Sequence, residues 1–296
     1  MKLTKKEKVE MAEKLRSTTV VKTIISKEYE NYLNFVTCEE RNIHTRDGDA
    51  HIYIVSPKEN KKVYPLYINL HGGGFVREYQ KRDTLLSSKI ASKLGCKVIS
   101  VDYKLAPEHP FPSALNECYD IVKWAFDNAA DLSVDRDRIS VGGHSAGGNL
   151  TAAIAIMANQ SKDFKIKLQI LDYAFLDAAT DPKDKITDKD VIPVDRMRAF
   201  NSLYIENEKD KSNPLVSPVF ATKEMLTGLP PALVITAGKD CFRFEGEKYA
   251  MMMVEVGTEV KIKRFLNSKH GFVENCREEF KEAQKLIIET LSQSFN

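Results

Sequence analysis

One serine in this chain stands in a sequence context that can make a hydroxyl nucleophilic. Residues 143–147 read Gly-His-Ser-Ala-Gly, a match to the pattern Gly-x-Ser-x-Gly with Ser145 at its centre. Ile139 and Val141 before it alternate with polar residues as a short strand would, and apolar residues after it recur at helical spacing. This strand, tight turn and helix would hold the Ser145 hydroxyl above a sheet edge, where it could attack a carbonyl carbon.

The glycines on both sides of Ser145 have a steric explanation. A serine on so sharp a turn adopts a strained backbone conformation, and neighbouring side chains would collide with it. The start of the following helix leaves backbone N–H groups without intrahelical partners, and these can stabilise a developing negative charge.

A second glycine-rich segment follows the apolar strand predicted over residues 63–70. Residues 71–75 read His-Gly-Gly-Gly-Phe, and three adjacent glycines are costly in backbone entropy. One interpretation is a flexible turn. The favoured one is a loop whose bare N–H groups approach a ligand closely, as an oxyanion hole requires. His71 is interpreted as a residue that packs this loop and not as a base.

A serine hydroxyl needs a base within hydrogen-bond reach, and that base needs an acid that holds its tautomer. Of the six histidines, His270 is the one in a loop after the last predicted strand. Asp240 lies just past the preceding predicted strand, over residues 232–236. The order Ser145, Asp240, His270 is the one that this type of elbow requires. The sequence therefore predicts these three residues as a catalytic triad.

The elements around these residues alternate between strand and helix along much of the chain. That alternation predicts a mostly parallel sheet with helices on both faces. Residues 1–40 show helical spacing, which predicts either a lid over a pocket or an amphipathic helix packed on the body. Residues 177–220 are too long for a plain connection and are interpreted as an insertion that caps the carboxyl edge of the sheet, with a helix around residues 196–205.

Composition narrows the function classes. The chain of 296 residues has 44 basic and 42 acidic residues, a net charge of +2, which gives no electrostatic reason to expect a nucleic-acid partner. No signal peptide or membrane-spanning stretch is expected. The five cysteines form no Cys-x-x-Cys pair, so we expect no zinc site or disulfide and favour a cytoplasmic location. A homodimer through the last strand is left open.

Five blocks of this sequence together resemble the hormone-sensitive-lipase family of α/β-hydrolases, which includes many bacterial carboxylesterases. The blocks are His71-Gly-Gly-Gly74, Asp102-Tyr-Lys-Leu-Ala-Pro-Glu-His-Pro-Phe-Pro112, Gly142-Gly-His-Ser-Ala-Gly-Gly148, Pro230-Pro-Ala-Leu-Val-Ile-Thr-Ala-Gly-Lys-Asp240 and His270-Gly-Phe272. They lie within residues 40–293 of the chain.

The resemblance implies an eight-stranded α/β-hydrolase sheet formed by residues 41–176 and 221–296, capped by residues 1–40 and 177–220. It implies the Ser145–His270–Asp240 triad and an oxyanion hole made by the N–H groups of Gly72 or Gly73 and of Ala146. The implied activity is hydrolysis of short- to medium-chain acyl esters through an acyl-enzyme, with a small-molecule ester substrate and no metal or organic cofactor.

Two residues depart from the family pattern, and two other functions stay open. The family usually has aspartate before the serine and often proline after the acid, whereas this chain has His144 and Cys241. We expect His144 to alter the local hydrogen bonds and the pH profile. An amidase or deacetylase could use the same triad, since the pocket decides the substrate. A non-catalytic homologue that binds a small molecule is disfavoured because such proteins lack the triad histidine.

Overall fold

The computed structural model describes residues 3–18, 23–185 and 192–296, which surround one eight-stranded sheet. The strands are β1 (Val36–Thr45), β2 (Gly48–Pro57), β3 (Tyr64–Leu70), β4 (Lys97–Asp102), β5 (Val134–His144), β6 (Gln169–Asp172), β7 (Ala232–Ala237) and β8 (Val260–Phe265). Their order across the sheet is β1-β2-β4-β3-β5-β6-β7-β8. Strand β2 runs antiparallel to β1 and β4, and all other neighbours are parallel. The mostly parallel eight-stranded sheet is confirmed.

Helices cover both faces of this sheet. Within the described residues they are α1 (Lys5–Ser17), α2 (Lys27–Glu30), α3 (Lys81–Leu94), α4 (Ser113–Asp127), α5 (Ala146–Ser161), α6 (Val194–Tyr204), α7 (Lys223–Leu226), α8 (Arg243–Glu255) and α9 (Phe280–Phe295). Apolar residues of α3 and α9 pack in one core cluster, and those of α4, α5 and α8 pack in the other. None of the helices in these ranges has the length and apolar content to cross a membrane.

The central strands are buried because helices lie on both of their faces. Every residue of β3 and β7 is buried, as is typical of covered parallel strands. Successive residues of β3 enter opposite clusters: Leu66 and Ile68 face one and Tyr67 faces the other. Burial of each such aliphatic side chain stabilises the fold by about 1.5–3 kcal/mol. Strand β8 is mostly exposed at the sheet edge.

The carboxyl ends of the parallel strands bring the predicted functional residues to one edge. His71 follows β3, Ser145 follows β5, Asp240 lies three residues past β7, and His270 lies five residues past β8. Strands β3 and β5 are neighbours, as are β7 and β8, and only β6 separates the two pairs. Residues far apart in sequence therefore meet over the middle of this edge.

The amino-terminal segment differs in part from the prediction. Helix α1 is present, but the segment 36–40 belongs to β1, so the helical interpretation of its end is wrong. The middle residues of β1 are exposed, so its sequence lacks the alternating pattern that marks a half-buried strand. Residues 1–2 and 19–22 of the predicted cap, and 186–191 of the predicted insertion, lie outside the described residues.

The described part of the insertion contacts both the amino-terminal helix and the body. The predicted helix is present as α6, whose Arg196 donates to the carbonyl oxygens of Leu15 and Thr18 at 3.3 and 3.2 Å. Before α6, the Lys185 ammonium lies 2.5 Å from the Glu245 carboxylate of α8, and both side chains are buried. Burial raises the pKa of Glu245 to about 7, against the influence of Lys185.

Candidate active site

Ser145 lies on a strained turn between β5 and α5. Its backbone has φ 55° and ψ −115°, outside the regions that L-residues usually occupy. A Cβ atom on Gly143 or on Gly147 would collide with the carbonyl oxygen of Leu70. Both glycines are therefore required for a steric reason, as predicted, but the nearest obstacle is the neighbouring strand β3 and not the serine.

The side chains of the three predicted triad residues form one continuous chain of hydrogen bonds. His270 Nε2 lies 2.9 Å from Ser145 Oγ, and His270 Nδ1 lies 2.7 Å from Asp240 Oδ2. The Asp240 side chain is fully buried and that of His270 is 14% exposed. This arrangement can take a proton from Ser145 at Nε2 while the carboxylate holds the proton on Nδ1.

The Asp240 carboxylate has two further contacts that fix its orientation. Its Oδ1 accepts a hydrogen bond from the backbone N–H of Phe242 at 3.2 Å. The Cys241 thiol lies 3.6 Å from the same oxygen. Burial raises the pKa of this thiol, and Asp240 raises it further, so the group stays protonated and can donate weakly. The departure at position 241 therefore adds a donor where proline would have no side-chain donor.

The His270 imidazole is packed between two aromatic rings. Tyr173 and Phe242 meet it edge to face, with ring centroids 4.9 and 5.1 Å away. The Tyr173 hydroxyl donates to the buried Glu274 carboxylate, which fixes that ring. Burial disfavours the imidazolium, but the charge and hydrogen bond of Asp240, with the charges of Glu274 and Glu245, raise the pKa of His270 above its usual value.

The glycine-rich loop after β3 lies beside Ser145, but one of its N–H groups is already bonded. The N–H of Gly72 donates to His144 Nε2 at 2.9 Å. The expectation that Gly72 supplies an oxyanion donor is thereby corrected. Within the described residues the N–H groups of Gly73 and Ala146 have no hydrogen-bond partner, and both residues line the cavity at Ser145.

His71 packs the loop, as expected. Its ring stacks on Tyr103 with centroids 4.1 Å apart, and the Tyr103 hydroxyl donates to the His71 carbonyl oxygen at 2.8 Å. Burial lowers the pKa of His71 to about 3, so the ring stays neutral at ordinary pH.

His144 links the elbow to the glycine-rich loop. Because Nε2 accepts from Gly72, the neutral ring carries its proton on Nδ1. Burial lowers the pKa of His144 to about 4, so this acceptor persists at every pH above that value. Asp83 Oδ1 lies 3.3 Å from the same nitrogen, and burial raises the pKa of that carboxyl. His144 therefore takes part in the hydrogen bonds of the site, while its effect on the pH profile stays a prediction.

We expect His144→Ala to lower kcat by about 10- to 100-fold. Loss of one oxyanion donor outright costs about 10²–10³ in rate, and here the donor loop would be misplaced and not removed. The buried Gly72 N–H would also lack an acceptor, which lowers the free energy of unfolding by about 1–3 kcal/mol. Stopped-flow rates and urea unfolding measure both effects.

His144→Asn restores an acceptor and should recover most of kcat, which separates positioning of the loop from general destabilisation. His44→Ala, at an exposed histidine, is the matched control. An unchanged kcat in His144→Ala would contradict the positioning role.

A cavity of about 370 Å³ opens in front of Ser145, within the range of small-ligand sites. Its apolar wall comes from segments that are distant in sequence, which include Phe75, Phe175, Met197, Phe200 and Phe242. Arg77, Arg82 and Arg196 also line it. Sequence reasoning missed these residues as site residues. Two of them offered a signal by their positions: Phe75 ends the glycine-rich segment, and Phe242 lies two positions after Asp240.

Comparisons with known proteins agree with this architecture. A family model described as an alpha/beta hydrolase fold matches residues 67–274. An arylesterase of Saccharolobus solfataricus is 34% identical over 237 residues, which are 79% of this chain and 76% of that protein. A carboxylesterase of Mycobacterium tuberculosis is 31% identical over 242 residues, 79% of this chain and 75% of that protein.

Similarity extends to solved structures. A hyperthermophilic esterase from the archaeon Pyrobaculum calidifontis superposes with a TM-score of 0.84 and 31% identity, over 99% of each chain. The sheet order and the serine turn after β5 define an α/β-hydrolase fold. The chain belongs to the α/β-hydrolase family, in the hormone-sensitive-lipase-like branch that the five sequence blocks predicted.

Proposed function

We propose that the protein is a serine carboxylesterase that hydrolyses small acyl esters through an acyl-enzyme intermediate. The observation that carries this proposal is the hydrogen-bonded series Asp240–His270–Ser145. It ends at a cavity beside two N–H groups that have no partner among the described residues. The esterase names of relatives at 31–34% identity support the same reaction class.

In the first half-reaction Ser145 Oγ attacks the ester carbonyl carbon while its proton moves to His270 Nε2. His270 Nδ1 keeps its proton and shares it with Asp240, which stabilises the imidazolium that forms. The carbonyl oxygen becomes an oxyanion, and the N–H groups of Gly73 and Ala146 are the proposed donors to it. His270 then gives its proton to the leaving alcohol oxygen.

In the second half-reaction a water molecule takes the place of the alcohol. His270 removes one of its protons as the oxygen attacks the acyl carbon, and the same N–H groups stabilise the second tetrahedral intermediate. Collapse returns the proton to Ser145 Oγ and releases the carboxylic acid. Each bond that forms is matched by one that breaks, and the resting hydrogen bonds are restored.

The size and lining of the cavity support short- to medium-chain substrates. Aromatic and aliphatic side chains close the site on several sides and leave about 370 Å³. We propose that residues 1–40 and 177–220 act together as the cap over it and that 41–176 and 221–296 form the catalytic domain. The hydrogen bonds from Arg196 to the end of α1 support a joint cap.

Initial rates on p-nitrophenyl esters from acetyl to palmitoyl test this proposal. We expect kcat/KM to peak at the shorter chains, because the cavity walls limit how much of a long acyl chain can be buried. A flat profile, or a maximum at palmitoyl, would contradict the size assignment. Anilide analogues of the best acyl groups test the amide alternative.

If anilides are hydrolysed as fast as the esters, the protein is an amidase that uses the same residues. If the folded protein turns over neither series, the reaction class is wrong. Its cavity would then serve binding alone.

Two further proposals concern the cellular location and the oligomeric state of the enzyme. Five free thiols, four of them buried, suit a reducing compartment, so we propose a cytoplasmic location. Within the described residues, strand β8 leaves one edge of the sheet unpaired, and we propose this edge as the interface of a homodimer. A small-molecule ester is the proposed partner of the cavity.

A further inference from the structure

The cavity in front of Ser145 has a cationic corner that the proposed reaction does not use. Arg77 follows the glycine-rich loop, and its backbone N–H donates to the carbonyl oxygen of Gly73 at 3.0 Å. Its side chain therefore starts directly beside one of the proposed oxyanion donors. Arg82, in α3, lines the same cavity.

Arg77 has an unusually poor set of partners. Its Nε is buried without a hydrogen-bond acceptor, and no carboxylate of the described residues lies within ion-pair distance of its guanidinium. Burial lowers the pKa of Arg77, and the nearby charge of Arg82 lowers it further. A half-buried guanidinium beside like charges is unfavourable unless an anion completes the site.

Arg82 is only partly satisfied. Its Nη1 donates to Asn275 Oδ1 at 2.9 Å, while its Nε is also buried without an acceptor. Its charge lies near the carboxyl groups of Asp83 and Glu274. Glu274 already accepts hydrogen bonds from the Tyr173 hydroxyl and the Asn275 amide. Donors of Arg82 therefore remain for a ligand.

The other charged side chains that line the cavity do not make its net charge negative. Arg196 also lines the cavity and donates to main-chain oxygens of the amino-terminal segment. Its guanidinium carbon lies over the Phe200 ring, 5.4 Å from the ring centroid. Lys269 and Arg277 also line the cavity, together with Glu274 and Glu278. Among the described residues, five cationic side chains thus line the cavity against two acidic ones.

We propose that the ester substrate carries a carboxylate, which binds between Arg77 and Arg82 while its ester group lies at Ser145. This inference rests on the proposed esterase function and names its substrate class. A carboxylate is favoured because its planar pair of oxygens matches the forked donors of arginine.

Two isosteric substrate pairs test this inference, each with the charge in one half of the ester. The first is 4-acetoxybenzoate with 4-acetoxybenzamide, and the second is methyl 4-carboxybenzoate with methyl 4-carbamoylbenzoate. We expect kcat/KM for the carboxylate of at least one pair to exceed that for its amide by about tenfold. Rates are followed in a pH-stat.

Arg77→Gln and Arg82→Gln should each bring that ratio close to one, whereas Arg77→Lys should keep part of it because the charge remains. Arg41→Gln, on the exposed strand β1, is the matched control and should not change the ratio. Higher salt should lower the ratio in the wild type. The inference would be overturned if the carboxylate-to-amide ratio of kcat/KM were near one for both pairs in the wild type. It would also be overturned if a raised ratio persisted in Arg77→Gln.

Calorimetric binding of the same pairs to Ser145→Ala separates this inference from the proposed function. If the carboxylates bind more tightly than the amides and Arg77→Gln removes the difference, the anion site stands even without turnover. If esters are hydrolysed but the two members of each pair bind equally, the esterase proposal stands and the anion site fails.

Discussion

Ser145→Ala is expected to lower kcat for p-nitrophenyl esters by about 10⁴-fold or more, because it removes the only nucleophile at the end of the hydrogen-bonded series. Its hydroxyl is bonded to His270 Nε2 at 2.9 Å, and the variant loses that contact alone. The fold should be unaffected, since the strained turn is enforced by the backbone of its neighbours and not by this hydroxyl. Steady-state rates and a thermal melt test both statements.

Pre-steady-state kinetics make this prediction sharper. The wild type should release a burst of p-nitrophenol comparable to the enzyme concentration if deacylation is slower than acylation, and Ser145→Ala should release none. Ser92→Ala, in α3, is the matched control, since its hydroxyl bonds only to the Lys89 carbonyl oxygen. Turnover that survives in Ser145→Ala with a normal melt would mean that another residue is the nucleophile.

Asp240→Asn is expected to have a comparable effect, with a loss of about 10⁴-fold in kcat. Asparagine keeps the shape of the side chain, but it removes the charge that stabilises the imidazolium and can favour the wrong tautomer of His270. In the native protein His270 Nδ1 lies 2.7 Å from Asp240 Oδ2, so the substitution acts on the base directly. Rates on a short p-nitrophenyl ester measure the loss.

Asp240→Asn should also change the pH dependence of kcat/KM. The reaction needs neutral His270, so kcat/KM should fall at pH values below the pKa of that imidazole and reach a plateau above it. In the wild type burial lowers the pKa of His270, but the nearby carboxylates, Asp240 first among them, raise it above its usual value. Asp240→Asn removes the largest raising charge and leaves burial, so the acidic limb should move to lower pH while the plateau falls.

Glu245 is the other group whose titration would produce a fall of kcat/KM at acidic pH, because burial raises its pKa to about 7. Profiles measured from about pH 5 to pH 9 in Asp240→Asn and Glu245→Gln distinguish the two groups. A limb that stays in place in Asp240→Asn but moves in Glu245→Gln would assign it to Glu245 and contradict the role given to His270.

The sequence by itself determined the residues whose roles depend on local geometry. The tight turn at Ser145 needs glycine on both sides, because a Cβ would meet β3, and this requirement is visible as Gly-x-Ser-x-Gly. Asp240 and His270 were predictable because each follows a predicted strand, parallel strands place their carboxyl ends at one edge of a sheet, and the chain order Ser145, Asp240, His270 is the one this elbow requires. Short-range patterns and topology sufficed for these three.

The tertiary structure alone decided which polar groups are satisfied and which remain for a ligand. The Gly72 N–H is bonded to His144, a residue 72 positions away in the sequence. This contact depends on the register between β3 and β5, which no local sequence pattern shows. Arg77 and Arg82 read as ordinary charged residues in the sequence, and only packing shows that their Nε atoms are buried without acceptors. Periodicity reports which face of an element is buried, whereas hydrogen-bond pairing and charge balance depend on what lies opposite it in the fold.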